Sequence, residues 1–335
     1  MSQRARKKKV DSSEQAAARL AGERERKNRW TAYIIAGIVV ATVLTIFGVF
    51  YYQNLIAPFR KIVIKVDDSE IRMEYFIERC RFSGSDPWDM LQVLATERAI
   101  KLEAPDYGIN VTEQDIAHEL RRIAVGGSEN LTISEAEFKE WYLQELNDTG
   151  VSDEFYREII ETQLLINRLQ EYVAQQTPTV VEHAYLHLIT VMTRDEAVEA
   201  RSRLDAGESF ATVASEISLD ASKENGGEIG WIPRGASQVY NIAFTMNISE
   251  IKGPLPYFPA DSHTPSFYYI IMVSGKEVRQ ADEEYIPTLQ AMAFARCLEA
   301  APLRHSITYH GSSGGGFDSE TYAWVNYQLA KRAGS

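Results

Sequence analysis

Apolar residues are distributed unevenly along the 335-residue chain. Trp30 to Phe59 contains no charge, and its centre, Tyr33 to Phe50, is almost wholly apolar. About 20 such residues at ~1.5 Å each cross a ~30 Å hydrocarbon core, so the pattern predicts a transmembrane helix over residues 30–55. Trp30 and Tyr33 at one end, with Tyr51 and Tyr52 at the other, put amphipathic rings where the two interfaces would lie. A cleaved signal peptide is the rival reading. Its apolar core runs only about 7–15 residues and ends at small residues; here the run is longer and leads into Tyr51-Tyr52-Gln53-Asn54.

Beyond this segment the period changes. Ile62 to Val66 reads as a short strand and Asp67 to Glu70 as a turn, after which helical patterns continue to about Gln176. Thr112 with Asp115 three residues on resembles a capping box. Ser152 opens the clearest helix, whose stripe is Phe155, Ile159, Leu164, Leu165, Leu169 and Val173. His118 and Glu119 sit on an amphipathic helix, where a single histidine reads as surface or core rather than as a metal ligand. Trp88, Trp141, Phe155 and Tyr156 read as packing residues. Gly126-Gly127-Ser128 reads as a loop. A helical region without a polar cluster suits a binding module better than a catalytic one.

Thr177-Pro178-Thr179 breaks the helical run. Ala184 to Met192 is β-rich, Asp195 is expected to cap a helix from Glu196 to Ala206, and Phe210 to Ile217 gives another helix. Strands over 251–257 and 267–274 complete a compact α+β unit. A helical run then extends from Asp282 to about His305. Gly311 to Gly316 suits a joint, and a last helix is expected over 319–331.

Composition narrows the class. With 45% hydrophobic and 24% charged residues the chain is neither disordered nor collagenous nor polytopic. Cys80 and Cys297 lie far apart without a CxxC, so neither a disulfide scaffold nor a structural zinc site is expected. The net charge of -12 conceals a split: residues 1–29 carry ten basic and four acidic side chains, or +6, which leaves -18 for the remainder. By the positive-inside rule residues 1–29 form a cytoplasmic tail, and the acidic bulk lies outside. The basic block also permits a nucleic-acid reading; beside a membrane span it is more simply a topology signal touching anionic lipid. No nucleic-acid partner is expected.

The order H-L-I, G-E-S-F-A-T-V-A, S-L-D-A-S-K-E-N-G-G-E-I-G-W-I-P-R-G, I-A-F and Y-Y-I-I-M-V resembles the parvulin, or PpiC-type, peptidyl-prolyl isomerase domain over about residues 181–279. With the anchor and the helical segment, the whole is similar to membrane-anchored foldase-chaperones of the SurA/PrsA type. The resemblance implies an α+β chain: the transmembrane helix, an all-helical SurA-like chaperone domain over 60–177, and a parvulin-like domain over 178–280 with a small antiparallel sheet flanked by helices. The segment 281–335 is expected to return and pack on the chaperone domain.

The resemblance also assigns residues. It puts His187 at the family's first histidine, Asp220 where the family has Asp or Cys, and Trp231, Ser237, Gln238, Tyr240 and Phe244 in the substrate-pocket stretch. Tyr269 stands where the family has its second histidine, and Phe258 to Pro265 is a longer loop than usual. The catalytic set implied by the resemblance is His187, Asp220 and Tyr269. It needs no cofactor or metal and acts on unfolded or proline-containing exported polypeptides. The replaced histidine also leaves open a catalytically weak or inactive domain that serves as a holdase. Oligomeric state is not legible.

Overall fold

The computed structural model describes residues 30, 33–128, 132–237, 239–259, 264–311 and 315–333. The basic tail 1–29, Gln238, residues 260–263 of the long loop and residues 312–314 of the expected joint lie outside the described residues. The elements in order are α1 (Tyr33–Arg60), β1 (Ile62–Val66), β2 (Ser69–Arg72), α2 (Met73–Ser83), α3 (Pro87–Glu103), α4 (Glu113–Ala124), α5 (Glu135–Thr149) and α6 (Asp153–Gln176). They continue with β3 (Val180–Val191), α7 (Arg194–Asp205), α8 (Phe210–Ile217), β4 (Glu228–Pro233), β5 (Ile251–Tyr257), β6 (Phe267–Gln280), α9 (Ile286–Ala300), β7 (Ile307–Tyr309) and α10 (Ser319–Ala333).

Two compact units emerge: residues up to Val93 together with those from Ile307 onward, and Leu94–Ser306. In the first, α1 is long and apolar enough to cross a membrane. Three of its polar side chains bond back to their own helix. The Thr42 and Thr45 hydroxyls donate to the carbonyls of Ile38 and Ala41, and the Asn54 amide donates to Phe50, so none of these groups would enter hydrocarbon unpaired. The unit's sheet has the order β2-β1-β7, all antiparallel. Val63, Ile64, Val66, Met73, Phe76 and Ile77 are wholly buried; each such side chain contributes roughly 1.5–3 kcal/mol relative to its exposed state. Phe317 packs edge-on against both Phe76 and Trp88, and Tyr322 stacks on Trp88 while donating to Asp86.

In the second unit two helices begin at Thr112 and Ser152, as expected from sequence, and a third at Ser134. Thr112 and Ser134 make reciprocal capping boxes with Asp115 and Glu137, and the Ser152 hydroxyl accepts from Phe155 N. The cap of α7 corrects an expectation: it is Thr193, which exchanges hydrogen bonds with Glu196, while Asp195 lies in the first turn. The T-x-x-E spacing satisfies two backbone groups where Asp195 alone would satisfy one. Helix α9 packs on α6, with Gln290 donating to the Ala174 carbonyl. Beyond it, Arg304 grips Glu103 through two bonds of 2.7 and 2.5 Å, and His305 lies 3.1 Å from the same carboxylate.

Arg304 holds the Glu103 carboxyl below its usual range. A depressed carboxyl stabilises the fold above its unfolded pKa and loses that contribution as pH falls through the folded one. Glu103→Gln is therefore expected to lower the melting temperature at pH 7 and to make little difference near pH 3. Thermal denaturation at the two pH values checks this.

The 178–280 region holds a four-stranded antiparallel sheet of order β4-β3-β6-β5. On one face α7 and α8 cover Ile189, Val191 and Ile270. On the other, a 3-10 segment, Val239–Thr245, brings Ala243 and Phe244 onto Leu186, Ile232, Ile271 and Val273. The strand β6 runs six residues past its expected end at Ser274, pairing with the start of β3.

Candidate functional site

Side chains alternate across a strand, so Leu186, Leu188 and Thr190 face one side of β3 while His187, Ile189 and Val191 face the other. On the Leu188 side opens a cleft of about 390 Å³. It is lined by Leu188 and Thr190 of β3, by Tyr269, which pairs with Thr190 across β6, and by Leu219 and Asp220 from the loop after α8. Val239 and Tyr240 approach from the 3-10 segment and Ser237 from just before it, and Tyr257 and Phe267, stacked 4.5 Å apart, complete the lining.

Backbone bonds fix the loop that carries Asp220. The buried Ser218 hydroxyl accepts from Thr190 N and Asp220 N at 3.1 and 3.2 Å, and Leu219 N donates to the Thr190 carbonyl. Asp220 Oδ1 accepts from Ser222 N at 2.9 Å and caps a short 3-10 turn, Ala221–Asn225. The turn ends on Gly226 and Gly227, both at positive φ. A side chain at Gly227 would stand 2.6 Å from the Leu188 carbonyl and 2.9 Å from the Ala214 methyl. The paired glycines thus let the loop lie against the strand, where Leu188 N donates to the Gly227 carbonyl at 2.8 Å.

The cleft is rich in phenols. Burial raises the pKa of Tyr269, and burial followed by the charge of Asp220 raises that of Tyr240. Both stay protonated donors across the ordinary pH range. The Tyr269 hydroxyl makes one long contact, 3.5 Å, to the Val239 carbonyl.

Of the residues singled out from sequence, the structure brings together Asp220, Ser237, Tyr240 and Tyr269. It corrects three. His187 is on the opposite face of β3: its Nε2 lies 3.0 Å from Ser274 Oγ, and its ring contacts Tyr185 and Phe210. Burial there lowers its pKa. A one-residue offset on a strand reverses the face, and Leu188 occupies the position in the cleft. Trp231 packs edge-on against Tyr185, with Arg279 over its ring, away from the cleft. Phe244 is 7% exposed in the core beneath the 3-10 segment, with the Arg234 guanidinium 4.5 Å above it. Gln238 lies outside the described residues.

Leu188, Thr190, Leu219, Tyr257 and Phe267 are the cleft residues that sequence reasoning missed. Period-two alternation counted back from Tyr269 and its strand partner would have found the first two. His118 lines a separate cavity of about 480 Å³ beside Arg121 and Arg122, which pair with Glu135 and Glu119. No metal-binding cluster is found among the described residues.

Residues 190–275 match the family model for the rotamase, or PPIC-type PPIASE, domain. The foldase protein PrsA of Halalkalibacterium halodurans is 25% identical over 239 residues, 67% of this chain and 68% of that one. PrsA of Clostridium acetobutylicum is 29% identical over 131 residues, 36% of this chain and 37% of its own length. Among solved structures, the peptidylprolyl isomerase PrsA from Bacillus anthracis covers 73% of this chain and 97% of its own at 20% identity, with a TM-score of 0.37. The parvulin NmPin of Nitrosopumilus maritimus covers 29% and 99% at 26% identity, with a TM-score of 0.24. The cleft of Asp220, Tyr240 and Tyr269 therefore belongs to a PPIC-type peptidyl-prolyl isomerase domain, carried by a chain whose relatives are PrsA foldases.

Proposed function

We propose that this chain is a membrane-anchored, extracytoplasmic peptidyl-prolyl cis-trans isomerase and folding chaperone for exported polypeptides, with α1 as a single-pass anchor and residues 1–29 in the cytoplasm. The observation that carries the isomerase reading is the cleft itself: a recess of about 390 Å³, roomy enough for a prolyl ring and its neighbours, lined by tyrosines, apolar side chains and one carboxylate, almost all from the segment matched by the PPIC-type model. The relatives named PrsA foldase, matched along two thirds of the chain in the first case, support the chaperone part. The apolar α1 supports the anchor.

The reaction breaks no bond. An X-Pro amide must rotate over a barrier of ~18–20 kcal/mol, which unaided takes tens to hundreds of seconds. Rotation ends amide resonance: the nitrogen regains its lone pair and the carbonyl oxygen loses negative charge. The planar dipolar form is the one water solvates best, so a recess of Leu188, Val239, Tyr257 and Phe267 that sheds water from the prolyl ring favours the twisted form. The Asp220 carboxylate beside the substrate carbonyl disfavours the oxygen-negative planar form. The Tyr269 hydroxyl, whose contact to the Val239 carbonyl is long at 3.5 Å, donates to the nitrogen lone pair as it appears.

No imidazole is among the described residues lining the cleft. The kcat/KM for a proline tetrapeptide, measured by protease-coupled assay on the full chain, is therefore expected to show no inflection near 6.5, where histidine titrates. His187→Ala is expected to leave the rate unchanged. An imidazole-like inflection that His187→Ala removes would return His187 to the mechanism. The same missing imidazole favours a second reading, a holdase that binds chains without isomerising them. Suppression of client aggregation with no acceleration over background would establish it and end the isomerase reading.

A further inference from the structure

Helix α10 meets the base of α1. Trp324 packs on Phe59 with ring centroids 5.3 Å apart, and the Arg332 guanidinium lies 5.3 Å from the same Phe59 ring. Thr321 and Val325 are wholly buried, which fixes the rotation of α10 about its axis. Tyr327 is thereby left 64% exposed, and Lys331 is exposed on the same last turns. Arg60, the last residue of α1, and Lys61 are exposed next to Phe59. Two aromatic rings and four cationic side chains thus gather at one end of the apolar helix, where Glu78 of α2 feels the charges of Arg81 and Arg332.

Length places that end. The 28 residues of α1 extend ~42 Å, and a bilayer with its headgroup layers is ~40–45 Å thick. A helix entering at Tyr33 emerges at the opposite headgroup layer at Arg60, with Trp324 and Arg332 beside it. Tryptophan and tyrosine favour that layer, and each lysine or arginine near an anionic surface gains about fivefold in affinity.

We propose that α10 is an interfacial foot, which lies on the membrane surface at the Arg60 end of α1 and binds anionic phospholipid headgroups through Arg60, Lys61, Lys331 and Arg332, with Trp324 and Tyr327 seated among them. The proposal rests on the reading of α1 as a membrane anchor. It commits to lipid as the occupant because the cations adjoin the end of the apolar helix and not an isolated surface patch.

Spin-label depth measurements test it on the full chain in nanodiscs. One label replaces Tyr327 and a second, in a separate sample, replaces Val43, both with Cys297→Ser; Cys80 is 1% exposed and stays unlabelled. In discs containing phosphatidylglycerol, the label at 327 should be severalfold less accessible to a water-soluble nickel reagent than in phosphatidylcholine alone. The double change K331E/R332E should abolish the difference. A fully aqueous label at 327 in both lipids, with the label at 43 in hydrocarbon, overturns the foot and leaves the anchor standing. Equal protection in both lipids, unmoved by K331E/R332E, overturns the recognition of anionic headgroups. A label at 43 that reads aqueous removes the anchor reading and the foot with it.

Discussion

Gly227→Ala is expected to destabilise the isomerase domain by roughly 2–5 kcal/mol, through a positive φ that an alanine adopts under strain and through overpacking. The added methyl would meet the Leu188 carbonyl at 2.6 Å and the Ala214 methyl at 2.9 Å, and neither can move without disturbing β3 or α8. Gly230→Ala is the control. Gly230 has a φ of +92° but open space around it, so only the backbone strain remains, about 1–2 kcal/mol. Denaturant unfolding of the two variants separates the terms. Equal losses would show that the close approach of loop and strand is not what requires glycine.

The second large effect concerns Asp220. Asp220→Asn keeps an oxygen to accept from Ser222 N, so the 3-10 turn should persist, while the charge disappears. The expected loss is one to two decades in kcat/KM, about 1.4–2.8 kcal/mol of transition-state stabilisation. Tyr269→Phe removes only the hydroxyl and should cost less. Tyr269→His should keep or raise activity, since an imidazole can also donate in that position. Full activity in Asp220→Asn, with circular dichroism unchanged, would leave the shape and dryness of the cleft as the source of catalysis.

Sequence and structure agree at most of the local signals, the α7 cap at Thr193 excepted. The caps at Thr112 and Ser152 and the glycine pair after Asn225 act within one turn of themselves and lie where the pattern put them; of the α6 stripe, Phe155, Leu165 and Leu169 are buried, with Tyr156 and Ile160 beside them in place of Ile159 and Leu164. The disagreements are tertiary. Which of His187 and Leu188 faces the cleft depends on β3 phase, set by burial of Ile189 and Val191 under α7 and α8, and a motif read along one strand does not carry that phase. Phe244 looks like a pocket aromatic in sequence; the 3-10 segment turns it into the core and leaves Val239 and Tyr240 at the cleft. The strand β7 has three residues, too few for alternation to register, and exists because β1 offers it an edge.

The pairing of β1 with β7 must also form late. Val66 pairs with Ile307, about 240 residues further on, a separation that makes the contact slow to form because a long loop must close first. A chain that emerges from a membrane amino end first presents β1 and β2 early and β7 late. Until β7 arrives, β1 keeps an open edge, the part of a sheet most prone to pair with another chain. The unit that contains α1 is thus the last to close, and a chain cut short before Ile307 would leave its sheet unfinished.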